Sequence, residues 1–249
     1  MSIKPIIVVK VGTSTLLSYD DTPSGTFGYI AESILELREQ YNVVLVTSGA
    51  IGFGVRRVGL QARPSELHKL QALSMIGQVG LLRQWREAFG DENTIGQVLV
   101  TRRDLEAAGT SELFRTSVEE VWGYGVLPIV NENDAVSTEE ISFGDNDRLA
   151  AEVAVALGAE KLVILTDQDG IQQDFGASTQ RRLAVVPLTE VDRHIDTAAS
   201  AHGTGGASSK VQAARIALEA GIEAYIAKAS EPGAVSRVLS GQAGTKVVQ

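Results

Sequence analysis

Apolar runs of a few residues alternate along the chain with longer stretches of helical spacing. Ile6 to Val11 is β-branched almost throughout except for Lys10 and ends on Gly12-Thr13-Ser14, which predicts a buried strand feeding a glycine turn. Further short strands are expected at Val43–Val46, Thr94–Val100, Ile129-Val130, Val163–Leu165, Ala184–Val186 and Ala224–Ile226. Helical spacing marks Ile30–Tyr41, Glu66–Phe89, Thr110–Trp122, Ala207–Glu219 and Pro232–Leu239, with Thr110 or Ser111 as an N-cap and Gly221 closing the fourth. Gly77 and Gly80 interrupt the second of these; each costs about 1 kcal/mol relative to alanine in a helix interior, so something is expected to approach closely there. Strands that alternate with helices predict a mostly parallel sheet covered on both faces.

The central apolar runs each give way to small polar residues. Val46 is succeeded by Thr47-Ser48-Gly49, Val130 by Asn131-Glu132-Asn133-Asp134, and Leu165 by Thr166-Asp167. In parallel α/β sheets ligands bind in the crevice outside the carboxyl ends of the strands, so these residues are expected to line one site. Between the last two runs lies Gly144-Asp145-Asn146-Asp147, where either aspartate suits the cap of the succeeding helix.

Composition narrows the chemistry. At 249 residues the chain is of a length that α/β folds fill with a single domain, expected here over 1–249 because no linker composition breaks it. Its net charge of −9, without a basic run, argues against nucleic acid, and an anionic ligand would need local cations or a metal ion. Without cysteine there is no disulfide, thiolate metal site or cysteine nucleophile. No apolar run approaches the roughly 20 residues of a membrane span and the N-terminal run lacks a cleavage site, so a cytoplasmic protein with no membrane partner is expected.

Two lysines stand out. Lys10 sits inside an apolar run and is followed by a small, hydroxyl-bearing turn. Lys210 closes His202-Gly203-Thr204-Gly205-Gly206-Ala207-Ser208-Ser209-Lys210, glycines and hydroxyls leading into a helix whose free N–H groups suit phosphate oxygens. This is not a Walker A loop, since Lys210 follows Ser209 and precedes Val211, and the chain has no G-x-G-x-x-G. Lysines beside two glycine turns are what phosphoryl transfer needs, charge around the moving group. Asp147 and Asp167 would orient those lysines or hold water on Mg²⁺.

Taken together, VVKVGTS at Val8–Ser14, VTSGAIG at Val46–Gly52, PIVNENDAV at Pro128–Val136, FGDNDRL at Phe143–Leu149, LTDQDG at Leu165–Gly170 and GTGGASSK at Gly203–Lys210 closely resemble the motifs of the glutamate 5-kinases, in the amino-acid kinase family. The resemblance runs through nearly the whole chain in order, and NEND followed by GDND is its most specific part. It implies a three-layer αβα sandwich, acceptor-binding in its N-terminal part and nucleotide-binding in its C-terminal part. It implies ATP-dependent phosphorylation of the side-chain carboxylate of L-glutamate, with Mg²⁺ arriving on the nucleotide and no dedicated metal site. By that match Lys10 and Lys210 stabilise the moving phosphoryl group and Asp147 holds the lysines. Ser48, Asp134 and Asn146 bind glutamate, and Thr166, Asp167 and Thr204, Gly205, Gly206, Ala207, Ser208, Ser209 and Lys210 line the ATP site. A homo-oligomer, and glutamyl-phosphate reductase as a partner, are implied in the same way.

The sequence departs from the family pattern in three places: no C-terminal PUA domain, Ile171–Gly176 in place of the usual Tyr and D-P-R stretch, and Ser111–Arg115 in place of the usual arginine and asparagine. Two rival readings use the same residues, a kinase of this fold with another acceptor and a non-catalytic ligand-binding regulator. The second would not need Lys10, Asp147 and Lys210, and all three are present.

Overall fold

The apolar runs become strands of one eight-stranded sheet in the computed structural model, which describes residues 4–17, 25–137, 145–174, 176–195 and 206–249. In chain order the strands are β1 (Ile6–Val11), β2 (Asn42–Val46), β3 (Ile95–Val100), β4 (Leu127–Glu132), β5 (Lys161–Thr166), β6 (Gln172–Gln173), β7 (Arg181–Arg182), β8 (Val185–Pro187), β9 (Glu223–Lys228) and β10 (Thr245–Val248). The helices are α1 (Thr13–Leu17), α2 (Thr26–Leu37), α3 (Ala50–Val58), α4 (Leu67–Phe89), α5 (Arg102–Glu106), α6 (Ala108–Gly123), α7 (Asp145–Leu157), α8 (Leu188–Ile195), α9 (Gly206–Glu219) and α10 (Ala234–Leu239). The sheet order is β3-β4-β2-β1-β5-β9-β10-β8, and only the β9–β10 pairing within it is antiparallel. Separately, β6 and β7 form an antiparallel pair.

Strand parity divides the core into two layers. Val8, Val44, Val46, Val130, Leu162, Ile164, Ala224 and Ile226 face α5 to α9. Ile7, Val9, Val43, Leu45, Ile129, Val163, Leu165 and Tyr225 face α2, α4 and α10. This is the three-layer arrangement expected, and its near-continuous apolar strands suit a sheet buried on both faces. The chain leaves β1 toward β2 on one side and later returns to β5 on the other, so the sheet's topological switch point lies at β1. Among the described residues no helix is long and apolar enough to cross a membrane.

Several boundaries differ from the sequence reading. Helix α6 begins at Ala108 with Ala107 at its N-cap, so Thr110 and Ser111 lie inside it rather than capping it. Strand β4 runs two residues past its apolar run, carrying Asn131 and Glu132 in the buried ladder where they pair with Leu99 and Val100. Helix α2 begins at Thr26, before the apolar spacing becomes visible. The C-terminal Thr245–Val248, outside the strands expected from the sequence, adds a strand.

The glycines of α4 do mark a close approach. An added Cβ at Gly77 would lie 1.8 Å from the Ala50 carbonyl oxygen of α3, and one at Gly54 of α3 would lie 2.0 Å from the Leu73 carbonyl oxygen of α4. Backbone meets backbone there, with no side chain able to move aside. Gly80 is different, since its nearest neighbour is the Phe53 ring at 3.4 Å. Gly77→Ala is therefore expected to destabilise by about 3 kcal/mol through overpacking, whereas Gly80→Ala should be neutral or slightly stabilising because helix propensity improves. Thermal melts of the two variants check this. Equal melting temperatures would contradict the backbone seam.

Candidate active site

Lys10 lies on β1 beside Val46 of β2 and Ile164 of β5, at the switch point of the sheet. Its parity directs it to the face covered by α7 and α9, where it is only 3% exposed. A buried ammonium needs a counter-charge, and α7 supplies one. That helix begins at Asp145, so Asp147 is not a cap but the third residue, turned inward and 1% exposed. Its Oδ1 is 2.5 Å from the Lys10 Nζ. Its Oδ2 accepts from the Ser209 hydroxyl at 2.6 Å and lies 3.5 Å from the Lys210 Nζ. One carboxylate thus holds β1, α7 and α9 together, and the positive end of the α7 dipole favours its ionised form. An added Cβ at Gly12 would come 3.2 Å from the Lys10 Nζ, so the glycine leaves the ammonium room in the turn after β1.

The electrostatics are set by burial. Burial pushes Asp147 upward, but the charges of Lys10 and Lys210 and the bonds from Lys10 and Ser209 outweigh it and hold the carboxyl below its usual range. Lys10 is pulled below the ordinary lysine value by burial, with Lys210 adding to the decrease and Asp147 opposing it.

On the other side of Asp147, its neighbour Asn146 donates from Nδ2 to the Thr47 carbonyl oxygen at 2.7 Å and to Asn131 Oδ1 at 2.8 Å. Asn131 donates in turn to Gln78 Oε1 of α4 at 2.8 Å and accepts from the Glu132 N–H at 3.0 Å. The Trp85 indole of α4 donates to the Thr47 hydroxyl at 2.9 Å, so α4 anchors the ends of both β2 and β4. A cleft of about 620 Å³ opens beside this network, lined by Ala50, Ser74, Gln78 and Glu132 through Ala135 among others. Asp134 is in its wall, and Ser48 is buried in the turn after β2 just before α3.

The structure therefore gathers Lys10, Ser209 and Lys210 around Asp147, ties Asn146 to the ends of β2 and β4, and places Asp134 in the cleft wall. Thr166 ends β5, and its hydroxyl donates to Asp167 Oδ1 at 3.0 Å in an exposed turn. Gly206 and Ala207 open α9 and Ser208 is exposed on it, while Thr204 and Gly205 lie outside the described residues. Asn131 and Thr47 stood among the polar residues expected along the crevice without an individual role, and Gln78 and Trp85 carried no expectation at all. Asn131 was in plain view within the NEND motif, whereas a lone glutamine or tryptophan on a helix carries no signal of its own. Among the described residues no group of three or more His or carboxylate side chains is placed to hold a metal ion.

A model described as the amino acid kinase family matches residues 5–228. The glutamate 5-kinase of Symbiobacterium thermophilum is 38% identical over 245 residues, covering 95% of this chain and 92% of that protein. The glutamate 5-kinase of Gloeobacter violaceus is 38% identical over 248 residues, covering 96% of this chain and 67% of that protein. Among solved structures, the carbamate kinase from Giardia lamblia bound to AMP-PNP superposes with a TM-score of 0.69 at 19% identity over 100% of both chains, a likeness of fold.

Removing the shared charge tests the site's dependence on it. Asp147→Asn keeps the shape but leaves the Lys10 ammonium buried without its counter-ion, which is expected to cost about 3 kcal/mol. In that variant the folded Lys10 pKa falls further below its unfolded value, so the unfolded chain binds more protons between the two and stability rises with pH across that window. Melting curves at pH 6 and pH 9 should show the deficit relative to wild type shrinking at the higher pH. A deficit independent of pH would mean that Lys10 is not the group left uncompensated.

Proposed function

The chain belongs to the amino acid kinase family, among its glutamate 5-kinases, and from that membership we propose that it transfers the γ-phosphoryl group of ATP to the side-chain carboxylate of L-glutamate. The product is L-glutamyl 5-phosphate, the first intermediate toward proline. The observation that carries this reading is the buried carboxylate of Asp147 binding Lys10 and Ser209 and facing Lys210, at the switch point of a mostly parallel sheet. Such an arrangement holds two cations apart by a fixed distance without neutralising both.

In this reading one domain carries both substrates, the acceptor over the ends of β2 and β4 and the nucleotide over the ends of β5 and β9. Asp134 pairs with the α-ammonium group of glutamate, and Ser48 and Asn146 fix its remaining polar atoms. The side-chain carboxylate is ionised at neutral pH and attacks the γ-phosphorus directly, so no general base is needed. Lys10 and Lys210 meet the charge that develops on the equatorial oxygens, and their positions are set before the reaction by Asp147. Thr166, Asp167 and the segment from Thr204 to Lys210 hold the rest of the nucleotide. The cytoplasm, a homo-oligomeric assembly and a reductase that consumes the acyl phosphate belong to the same reading.

Mg²⁺ fits this donor set only as an ion carried on the phosphates. Both oxygens of Asp147 are engaged by Lys10, Ser209 and Lys210, and Asp167 is the exposed carboxylate at the strand end that would hold the ion's waters. When bound, the ion neutralises part of the phosphate charge. Dialysis against a chelator should leave no bound metal, and activity should return only on adding a divalent ion together with ATP. Stoichiometric metal retained without nucleotide would contradict the assignment.

The acceptor is tested by trapping. With ATP, Mg²⁺ and hydroxylamine, L-glutamate should yield the hydroxamate of an acyl phosphate, while L-aspartate, N-acetyl-L-glutamate and UMP should give little turnover. Faster ADP release with any of the other three would overturn the assignment. Lys10→Ala and Lys210→Ala are each expected to lower kcat by about 100-fold or more. Asp134→Asn should raise the KM for glutamate far more than that for ATP, and an unchanged glutamate KM would place the ammonium group elsewhere.

A further inference from the structure

The register of the three central strands places one more cation in the nucleotide crevice. Lys10 of β1 pairs with Ile164 of β5, Ile164 pairs with Ile226 of β9, and two residues further along Thr166 pairs with Lys228. Residues paired in register share a face. Val8, Leu162, Ile164, Ala224 and Ile226 are packed beneath α7 and α9, so Lys10, Thr166 and Lys228 extend these rows on the face that carries Asp147 and Lys210. The Ala229 N–H donates to the Thr166 carbonyl oxygen at 2.8 Å, which fixes the end of β9 against β5.

The charge of Lys228 is not consumed locally. Its Nζ is 3.7 Å from Glu231 Oε1, whereas Arg237 holds the other oxygen of Glu231 at 2.6 Å. One carboxylate shared between two cations leaves their local sum positive, and the Lys228 side chain, 36% exposed, is accessible to a ligand. Neighbouring strands are about 4.8 Å apart and rise about 3.3 Å per residue, so the Lys228 backbone lies roughly 10 Å across the sheet from Lys10 and about 7 Å further out. A nucleotide whose γ-phosphate sits at Lys10 would carry its inner phosphates and ribose over the end of β5 in that direction.

We propose that Lys228 is a nucleotide-binding residue, meeting the nucleoside-proximal phosphates as the third lysine of the crevice. This rests on the kinase reading above for the direction in which the nucleotide lies. In a chain of net charge −9, a cation so placed raises the local concentration of a polyphosphate as well as contacting it.

The test is direct binding of ADP by calorimetry, without acceptor, to the wild type and to Lys228→Met, Lys228→Arg and Glu231→Gln. Lys228→Met should weaken ADP about 10-fold while leaving adenosine affinity and the glutamate KM within about twofold. Lys228→Arg should restore most of the loss, and Glu231→Gln should leave ADP affinity equal or tighter. Unchanged ADP binding in Lys228→Met would overturn the proposal. So would Glu231→Gln weakening ADP as much as Lys228→Met does, since the ion pair rather than the lysine would then be responsible. A wild type that binds no ADP would instead overturn the kinase reading, and this inference with it.

Discussion

A charged amine inside a parallel sheet is tolerated only if something offsets its desolvation, and the architecture around Lys10 is set by that constraint. Ion pairs taken out of water stand or fall on the completeness of their partners. Asp147 supplies the partner, Ser209 and Lys210 complete it, and three elements remote in sequence, β1, α7 and α9, meet at one carboxylate. The central position of β1 in the sheet gives the pair its burial, and the start of α7 gives the carboxylate its favourable dipole. Remove the carboxylate and both lysines lose their shared counter-charge.

The network at the ends of β2 and β4 obeys a different logic, built from neutral hydrogen bonds. Asn146 and Asp147 are adjacent, yet one turns to the ends of β2 and β4 and the other to the lysines. Asn131 gives up its side-chain oxygen to Asn146 and to the Glu132 N–H and its amide nitrogen to Gln78. This part of the polar wall is therefore satisfied before any ligand arrives, and Asp134 adds a carboxylate beside it. Neutral, prearranged groups fix the shape of this wall, and the carboxylate beside them gives it a negative charge.

Much of this was legible in the sequence because it was written in local patterns. Apolar runs became strands, Gly77 announced a close neighbour where Gly80 did not, and hydroxyl and carboxamide residues after the strands marked the crevice. The features that escaped had no local signature. Helix α6 starts at Ala108 without a side-chain cap, because the short α5 before it ends at Glu106 and Ala107 is at once its C-cap and the N-cap of α6. Asn131 and Glu132 look like turn residues and yet extend β4, since pairing with β3 satisfies their backbone while the Asn131 side chain finds partners across the molecule. Whether Asp147 caps a helix or meets a lysine is decided by the packing of α7 on β1, a contact between residues far apart in the chain.

The seam between α3 and α4 has a mechanical meaning. Helices separated by side chains can slide as rotamers readjust, but here Gly54 and Gly77 put each backbone against the other's carbonyls. A shift of a single residue would drive a Cβ into an oxygen. The two helices therefore form one unit lining the cleft, and the chain turns at its ends, where Gly49, Gly59 and Gly90 hold left-handed or other positive-φ conformations. The turn between β2 and α3, with Ser48 in it, is tied to α4 and α7 through Thr47, so its shape is set together with that of this unit.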